Sequence, residues 1–556
     1  MEKRLLLAFV LSALIFAGWS MLFPPPAPVQ RAGDATTAAQ QEASAEGEST
    51  PPARPTAAAG TEAGDAEAEE VEPAVVEAIR GEVEQTIELT NEVMAVELSN
   101  RGAAVTSFRL LAYEDDEGEV LDLVQTVDHD DRALPLQLVN DDGPDANLYR
   151  MVRTADGVEM TWSDGAGSSV VKTLSLNGSY GLDLTVAATG TMKHAAVSVG
   201  TGLRDLGEQE RNSRLAVWGD GIVLADGEVE KYKRAKVKAP TEVRPGIVAF
   251  AGLEDAYFIN LLRPSTRVEA VRLERLEFTE SVAGEEPVVN QALRVLVEPR
   301  GGVFEGELLG APKEYALLQS IGGGVEKTLD FGIFGFISVF FLKALWWIYG
   351  VVGNYGTAII LLTVGIRIVL FPLMHTSTVS MRKMAKVQPK VKEIQSKYKK
   401  KKSDPQARAA MSQETMALYK QEGVNPMAGC LPVLVQLPIL WALYQLFLHA
   451  IELRHAPFWL WIQDLSAKDP YYVTPILMTF TMWLQQKLAP QAGDPQQQRI
   501  MRMLPLVFGI MFLQFPSGLV LYWLTNNVIS ILQQEITLMM IGERKYGPKR
   551  GGRKAK

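Results

Sequence analysis

Cysteine is almost absent. Cys430 is the only one in 556 residues, so neither an internal disulfide framework nor a cysteine-based zinc cluster is available. Histidine is scarce as well, with five scattered residues, and His129 and His194 have no carboxylate motif beside them. There is no Gly-x4-Gly-Lys-Ser/Thr loop, no His-Glu-x2-His, no Gly-x-Ser-x-Gly and no dinucleotide fingerprint, so neither nucleotide hydrolysis nor a familiar hydrolytic site is supported. No enzyme activity, cofactor or metal is expected. Basic residues are short in the front of the chain: up to Asp330 there are 29 Lys and Arg against 55 Asp and Glu, whereas the remaining 226 residues carry 26 against 10. An acidic front and a basic, apolar back belong to different physical environments, so the overall pI near 5.3 and mean hydropathy of +0.04 describe neither.

The apolar segments order the chain. Leu5 to Phe23 is a 19-residue run without a charge, behind Lys3 and Arg4, and roughly 20 such residues cross a bilayer core. An uncleaved anchor over 1–23 is favoured over a cleaved signal peptide, because the run exceeds an ordinary signal core and no clear A-x-A site precedes Pro24-Pro25-Pro26. With Lys3 and Arg4 held inside, the next segment lies outside the cytoplasm. Residues 24–84 are Pro, Ala, Gly, Thr, Gln and Glu with almost no aromatic, a flexible acidic linker that cannot offset its ordering entropy. Residues 85–325 change to short alternating runs such as VVKTLSLNGSYGLDLTVAATG and RVEAVRLERLEFTE, broken at Asn100-Arg101-Gly102, Asp141-Asp142-Gly143, Asn177-Gly178 and Gly219-Asp220-Gly221. That pattern predicts a soluble all-β domain, a sandwich, on the outer side.

Residues 326–353 include FGIFGFISVFFLKALWWIYGVVG, where Lys343 interrupts an aromatic-rich stretch. Phe336 to Tyr349 is expected to be an amphipathic helix in the outer interface, with Trp346, Trp347 and Tyr349 at headgroup level. The alternative is a full extra span, which would place the later basic loop outside, against the positive-inside rule. Five spans follow, at about 354–374, 426–449, 471–488, 500–515 and 518–541, giving six with the anchor and both ends in the cytoplasm. The 375–424 loop carries 12 Lys and Arg against 4 Asp and Glu, and the 542–556 tail 7 against 1. The outer 450–470 loop carries only Arg454 and Lys468 as basic residues, so positive charge falls inside at each point.

Arg367, within ILLTVGIRIVLFPL, is the residue that points to function. A central membrane arginine costs about 2.5 to 3.5 kcal/mol on insertion scales and marks a functional site by default. It also lies about 10 Å from the inner end of its helix, so snorkelling to the cytoplasmic interface is the competing reading. Thr363 is one turn earlier on the same face; Tyr522, Asn526 and Gln533 share a face of the last span, and Gln436 adds an amide. Glu535 projects away from the Tyr522 face, which leaves Arg367 without a built-in counter-ion if the two faces meet. The 375–424 loop predicts two amphipathic helices hinged near Lys402-Ser403-Asp404-Pro405, with Met381, Met384, Met411 and Met416 as adaptable apolar contacts. The simpler reading is a solvated basic hairpin that enforces topology. The basic tail suits anionic lipid or RNA phosphates, and no DNA partner is expected.

The strings VNPMAGCLPVLVQLPILWALYQL, ELRHAPFWLWIQDLSAKDPYYVTPILM and FPSGLVLYWLTNN, in this order and spacing, resemble the membrane core of the YidC-type bacterial membrane protein insertases, a family shared with the mitochondrial and chloroplast inner-membrane insertases. The likeness is strong over about 350–541 and otherwise rests on layout. It implies a polytopic α-helical membrane protein of six spans, five forming the insertase core over 354–541, with a large periplasmic all-β supersandwich. It implies that Arg367 is the groove arginine, with Thr363, Tyr522 and Gln436 lining the same cavity, open to cytoplasm and lipid. Implied partners are nascent inner-membrane proteins, the Sec translocon, and the ribosome with the signal recognition particle pathway. Trp523 departs from the family pattern after Tyr522.

Two other classes compete. A solute transporter with Arg367 as an anion site predicts half-helices or inverted repeats around the charge, and neither is visible. A periplasmic carbohydrate sensor predicts a cytoplasmic signalling domain, where only a hairpin and a short tail stand.

Overall fold

The computed structural model describes residues 77–211, 217–244, 246–280, 288–399, 404–424, 431–489 and 495–542. The expected anchor, nearly all of the linker, the hinge residues Lys402 and Ser403 and the tail beyond Gly542 lie outside the described residues.

The alternating runs become nineteen strands among the described residues, arranged in three antiparallel sheets of nine, six and four strands. The nine-stranded sheet runs from an edge at Glu228–Tyr232 through Val303–Pro312 to an edge at Arg150–Arg153. Period-two alternation buries one face against the other sheets, while the opposite face is buried at Ile222, Ile259 and Leu309 and exposed at Asp183 and Thr185. Val223, Phe258 and Leu308 point into a core shared with Val96 and Phe108 of the four-stranded sheet and Leu273 and Val295 of the six-stranded sheet. Their neighbours Ile222, Ile259 and Leu309 point the other way, under Leu318 and Val325. Leu318 belongs to helix α1 (Tyr315–Ile321), which closes the domain. The expected linker boundary at 84 shifts: Ile79 already pairs with Ser163, and Gly81 N–H donates to Leu148 O, so the β domain takes in the end of that segment.

Eight helices follow among the described residues. They are α2 (Gly335–Val352), α3 (Tyr355–Val369), α4 (Phe371–Lys397), α5 (Pro405–Gln421), α6 (Leu431–His449), α7 (Val473–Leu488), α8 (Pro495–Phe512) and α9 (Ser517–Met540). Helix α2 alone is long and apolar enough to cross a membrane by length and composition; α3 and α4 pass that test together, bent by 61°. Phe336, Phe340, Lys343 and Trp347 form its exposed stripe, while Ser338, Leu342 and Leu345 face the bundle.

The bend corrects the expected span at 354–374. Pro372 has no N–H to donate to Ile368 O and its ring crowds that carbonyl, so the first helix cannot continue through it, whereas proline fits the opening turn of the next helix. The first helix therefore ends at Val369, and the next runs unbroken from Phe371 to Lys397, so the first arm of the basic hairpin begins before His375. Its second arm starts where Asp404, as N-cap, accepts from Gln406 N–H at 2.9 Å. The arms meet along Val387, Val391 and Val424, with Met384, Leu418 and Tyr419 packed on the seam.

Candidate functional site

Helix α3 starts at Asn354, whose side chain accepts from Thr357 N–H at 2.9 Å. Two and a half turns later it presents Thr363 and then Arg367, 1% and 4% exposed, toward α9. Thr363 is satisfied within its own helix, its hydroxyl donating to Ile359 O at 2.7 Å. Arg367 is not satisfied within its helix: Nε donates to Asn526 Oδ1 at 2.7 Å, and Nη1 is buried without a partner among the described residues. No ion pair to Arg367 occurs among the described residues, so the charge is held by an amide rather than by a carboxylate.

Helix α9 supplies the opposite wall. Tyr522, 2% exposed, accepts through its hydroxyl from Gln436 Nε2 of α6 at 3.2 Å, and its ring lies 5.9 Å from that of Phe447. Gln533, two turns beyond Asn526, donates through Nε2 to Arg367 O at 2.8 Å. That carbonyl is in the last turn of α3, where an ending helix leaves its acceptors without partners. The amide oxygens of Gln436 and Gln533 are, like Arg367 Nη1, buried and unpartnered among the described residues. Three helices thus bring a cation, two carbonyl oxygens and a phenol together on one face of an otherwise apolar bundle.

One end of this face is closed by aromatic rings. Tyr444 of α6 meets Phe515 edge-on at 6.0 Å; Phe515 lies 5.0 Å from Phe512, which packs at 5.0 Å against Trp523, itself 6.0 Å from Phe508. Trp523 therefore fastens α8 to α9 and does not enter the polar site.

Residues 86–344 match the family described as YidC periplasmic domain, and residues 347–544 the family described as 60Kd inner membrane protein. The chain belongs to the YidC family of membrane protein insertases. It is 35% identical to the membrane protein insertase YidC of Geobacter metallireducens, over 96% of this chain and 98% of that one. It is 32% identical to that of Geotalea daltonii, over 96% and 98%. Identity rises to 45% with that of Syntrophus aciditrophicus, over 55% of each chain. In this YidC-family chain the periplasmic match covers the three-sheet domain, and the inner-membrane match begins inside α2 and runs past the end of α9.

Arg367 and Asn526 are joined directly, and so are Gln436 and Tyr522; Thr363 lies on the wall of α3, and its hydroxyl bonds within its own helix. Of the hairpin methionines, Met384 is used up on the hairpin's own seam, Met381 and Met411 are half-buried, and Met416 is exposed. Sequence reasoning missed Asn527, whose amide donates to Met478 O at 3.4 Å and ties α9 to α7. It also missed His375, whose Nδ1 meets Thr537 Oγ1 at 3.2 Å. Asn527 is adjacent to Asn526, and a second polar residue in a span was the signal available.

Proposed function

We propose that this chain inserts nascent inner-membrane proteins by letting the hydrophilic end of an incoming segment cross part of the bilayer along the Arg367–Asn526–Gln436–Tyr522 face. The observation that carries this reading is the guanidinium of Arg367, buried among membrane helices with Nη1 unpartnered and no carboxylate paired to it among the described residues. A charge in that setting is tenable only when it meets polar groups that come and go. Acidic side chains or backbone carbonyls of the passing chain would supply them, while its apolar segment exchanges water for lipid and moves off sideways. Partitioning of the apolar segment supplies the free energy, and a membrane potential adds about 2.3 kcal/mol per charge per 100 mV for acidic tails moving outward. Nothing in this scheme consumes a nucleotide.

The proposed topology has six spans, both termini in the cytoplasm and the β domain in the periplasm. Helix α2 lies in the outer interface. Lys343 stands midway along its exposed stripe with Nζ 5.7 Å from the ring of Tyr315 in α1, whereas a spanning α2 would hold that ammonium at the bilayer centre against lipid, at a cost of about 2.5 to 3.5 kcal/mol. The basic hairpin would meet the emerging chain first through Met416, Met381 and Met411. Ribosomes, the signal recognition particle pathway, the Sec translocon and anionic lipids are the partners this scheme calls for.

The test is reconstitution of the full chain alone in lipid vesicles, with synthesis of a single-span client bearing a short acidic tail. The reading expects the tail to become protected from external protease only when the chain is present, and more so with an imposed potential. Equal protection in empty vesicles would overturn it.

A further inference from the structure

The loop of residues 450–470 touches the β domain on one side and the helices of the polar site on the other. Arg454 is its plug. The side chain is 4% exposed; Nη1 donates to Glu114 O at 2.6 Å, Nε lies 3.5 Å from Glu210 Oε1, and Nη2 lies 3.9 Å from Asp116 Oδ1. Its guanidinium sits 5.6 Å over the ring of Phe258, which also carries Arg204 at 5.2 Å. Arg204 in turn binds Asp255 and reaches Glu210 at 2.7 and 3.0 Å, so the socket is itself braced. His455, in left-handed backbone geometry at φ 53°, places Nε2 3.4 Å from Asp116 Oδ1. The hydrogen bond from His455, with Arg454 and Arg204 nearby, holds the Asp116 carboxyl below its usual range.

The same loop seats both walls of the polar site. Asn354, the N-cap of α3, donates through Nδ2 to Pro457 O at 2.9 Å, and the ring of Phe458 lies 2.0 Å from where a Cβ on Gly356 would stand, so only glycine fits there. Ser517 and Gly518, the first residues of α9, donate their N–H groups to Ala467 O at 2.7 Å and Leu465 O at 2.8 Å. Asp469 caps α7, accepting from Thr474 N–H and Oγ1 at 2.7 Å. The outer starts of α3 and α9, which carry Arg367 and Asn526, are thus held by one loop, and that loop is tied to the β domain by Arg454, with His455 beside it, in an acidic socket.

We propose that Arg454 is a positioning residue for insertion: by plugging the β domain it holds the 450–470 loop, and through that loop it keeps the outer ends of α3 and α9 in the register that closes the polar site outward. This rests on the insertase reading of the site. Loss of the plug takes from Glu114 O its donor and from the part-exposed Asp116 and Glu210 carboxylates the cation beside them, so the loop lifts, and the first turn of α9 becomes reachable from outside.

The experiment uses the full chain in native membranes, in a Cys430→Ser background carrying Leu519→Cys as a buried reporter in the first turn of α9. A membrane-impermeant maleimide added from the periplasmic side reads its exposure, and insertion of one client with an acidic tail and one without is followed in parallel. Arg454→Ala is expected to speed labelling by roughly five- to thirtyfold, as loss of a small multiple of the thermal energy does. It should slow the acidic-tailed client more than the other. Arg454→Lys, which keeps the charge but not the planar stacking on Phe258, should recover part of both effects. Should Arg454→Ala fail to accumulate, Asp116→Asn gives the same labelling change from the other side of the socket. Unchanged labelling in an accumulated Arg454→Ala or Asp116→Asn chain would overturn the proposal. Faster labelling with neither client affected would also overturn it as a statement about insertion. Failure of the wild-type chain to insert either client would instead strike at the insertase reading, leaving the labelling result standing.

Discussion

Arg367 Nε donates to Asn526 Oδ1 across 2.7 Å, a side-chain bond that joins the charge on α3 to the wall formed by α9. The main-chain carbonyl of Asn526 separately accepts from Ser530 Oγ at 2.6 Å. A buried hydrogen bond to a charged group contributes about 1.5 to 3 kcal/mol. Asn526→Leu should therefore lower the unfolding free energy of the membrane core by about that much, measured by equilibrium unfolding in detergent.

The charge at Arg367 is expected to matter to some clients and not others. Arg367→Lys should be tolerated, because an ammonium can meet the same acceptors, while Arg367→Ala should slow clients with polar or acidic tails most. Side-by-side insertion assays on two such clients check this; equal insertion of both by Arg367→Ala would contradict it.

In the β domain, Lys172 is wholly buried and donates to Gly102 O, Ala103 O and Leu136 O at 3.2, 3.0 and 2.8 Å. Ala103 and Leu136 both have positive φ, so the lysine holds two turns that ordinary side chains rarely adopt. Lys172→Met leaves those carbonyls unpaired and should destabilise the domain by at least about 1 to 3 kcal/mol, the cost of one buried orphan acceptor. Burial also pushes the ammonium down to about 7 from 10.5. Between those values the unfolded chain holds a proton that the folded chain does not, so stability rises with pH across that window. Denaturant midpoints of wild type and Lys172→Met should accordingly diverge further as pH is raised above 7, since only the wild type gains.

Glu452, in the turn after α6, accepts from Trp346 Nε1 of α2 at 3.0 Å, and burial raises its carboxyl to about 7 from 4.5. A group raised in this sense gives stability that is complete below 4.5 and is lost as pH climbs through 7. Infrared spectra of the full chain should show a protonated-carboxyl band that disappears above pH 7 and is absent from Glu452→Gln. A band that persists well into the alkaline range, or one unaffected by the substitution, would contradict the assignment.

Helical arithmetic put Tyr522, Asn526 and Gln533 on one face, because a long apolar helix has a fixed period and few polar residues to place. It could not pair them with partners on other helices: Gln436 meets Tyr522 and Asn526 meets Arg367 across 86 and 159 residues, distances over which periodicity carries no information. Pro372 was visible in the sequence, yet hydropathy continued through it and the span was drawn to Met374; backbone sterics, not composition, decided the break. The loop at 450–470 is legible in the sequence as a count of charges and as part of one string that carries the family resemblance. Its meaning lies in Arg454 reaching Glu114, 340 residues away. The β domain announced its alternation clearly, but the burial of Ile222, Ile259 and Leu309 on the second face of the nine-stranded sheet depends on what α1 covers.

The insertion path proposed for the incoming chain is the polar face. It is tested most directly by placing a photo-reactive amino acid at position 363 and stalling a ribosome-bound chain with one apolar segment at successive lengths, in membranes without other insertases. The account predicts a crosslink that appears as the segment emerges and fades as it enters lipid. No crosslink at any length, with the protein intact and ribosomes docked, would contradict it and leave Arg367 as an arginine that reaches for the cytoplasmic interface.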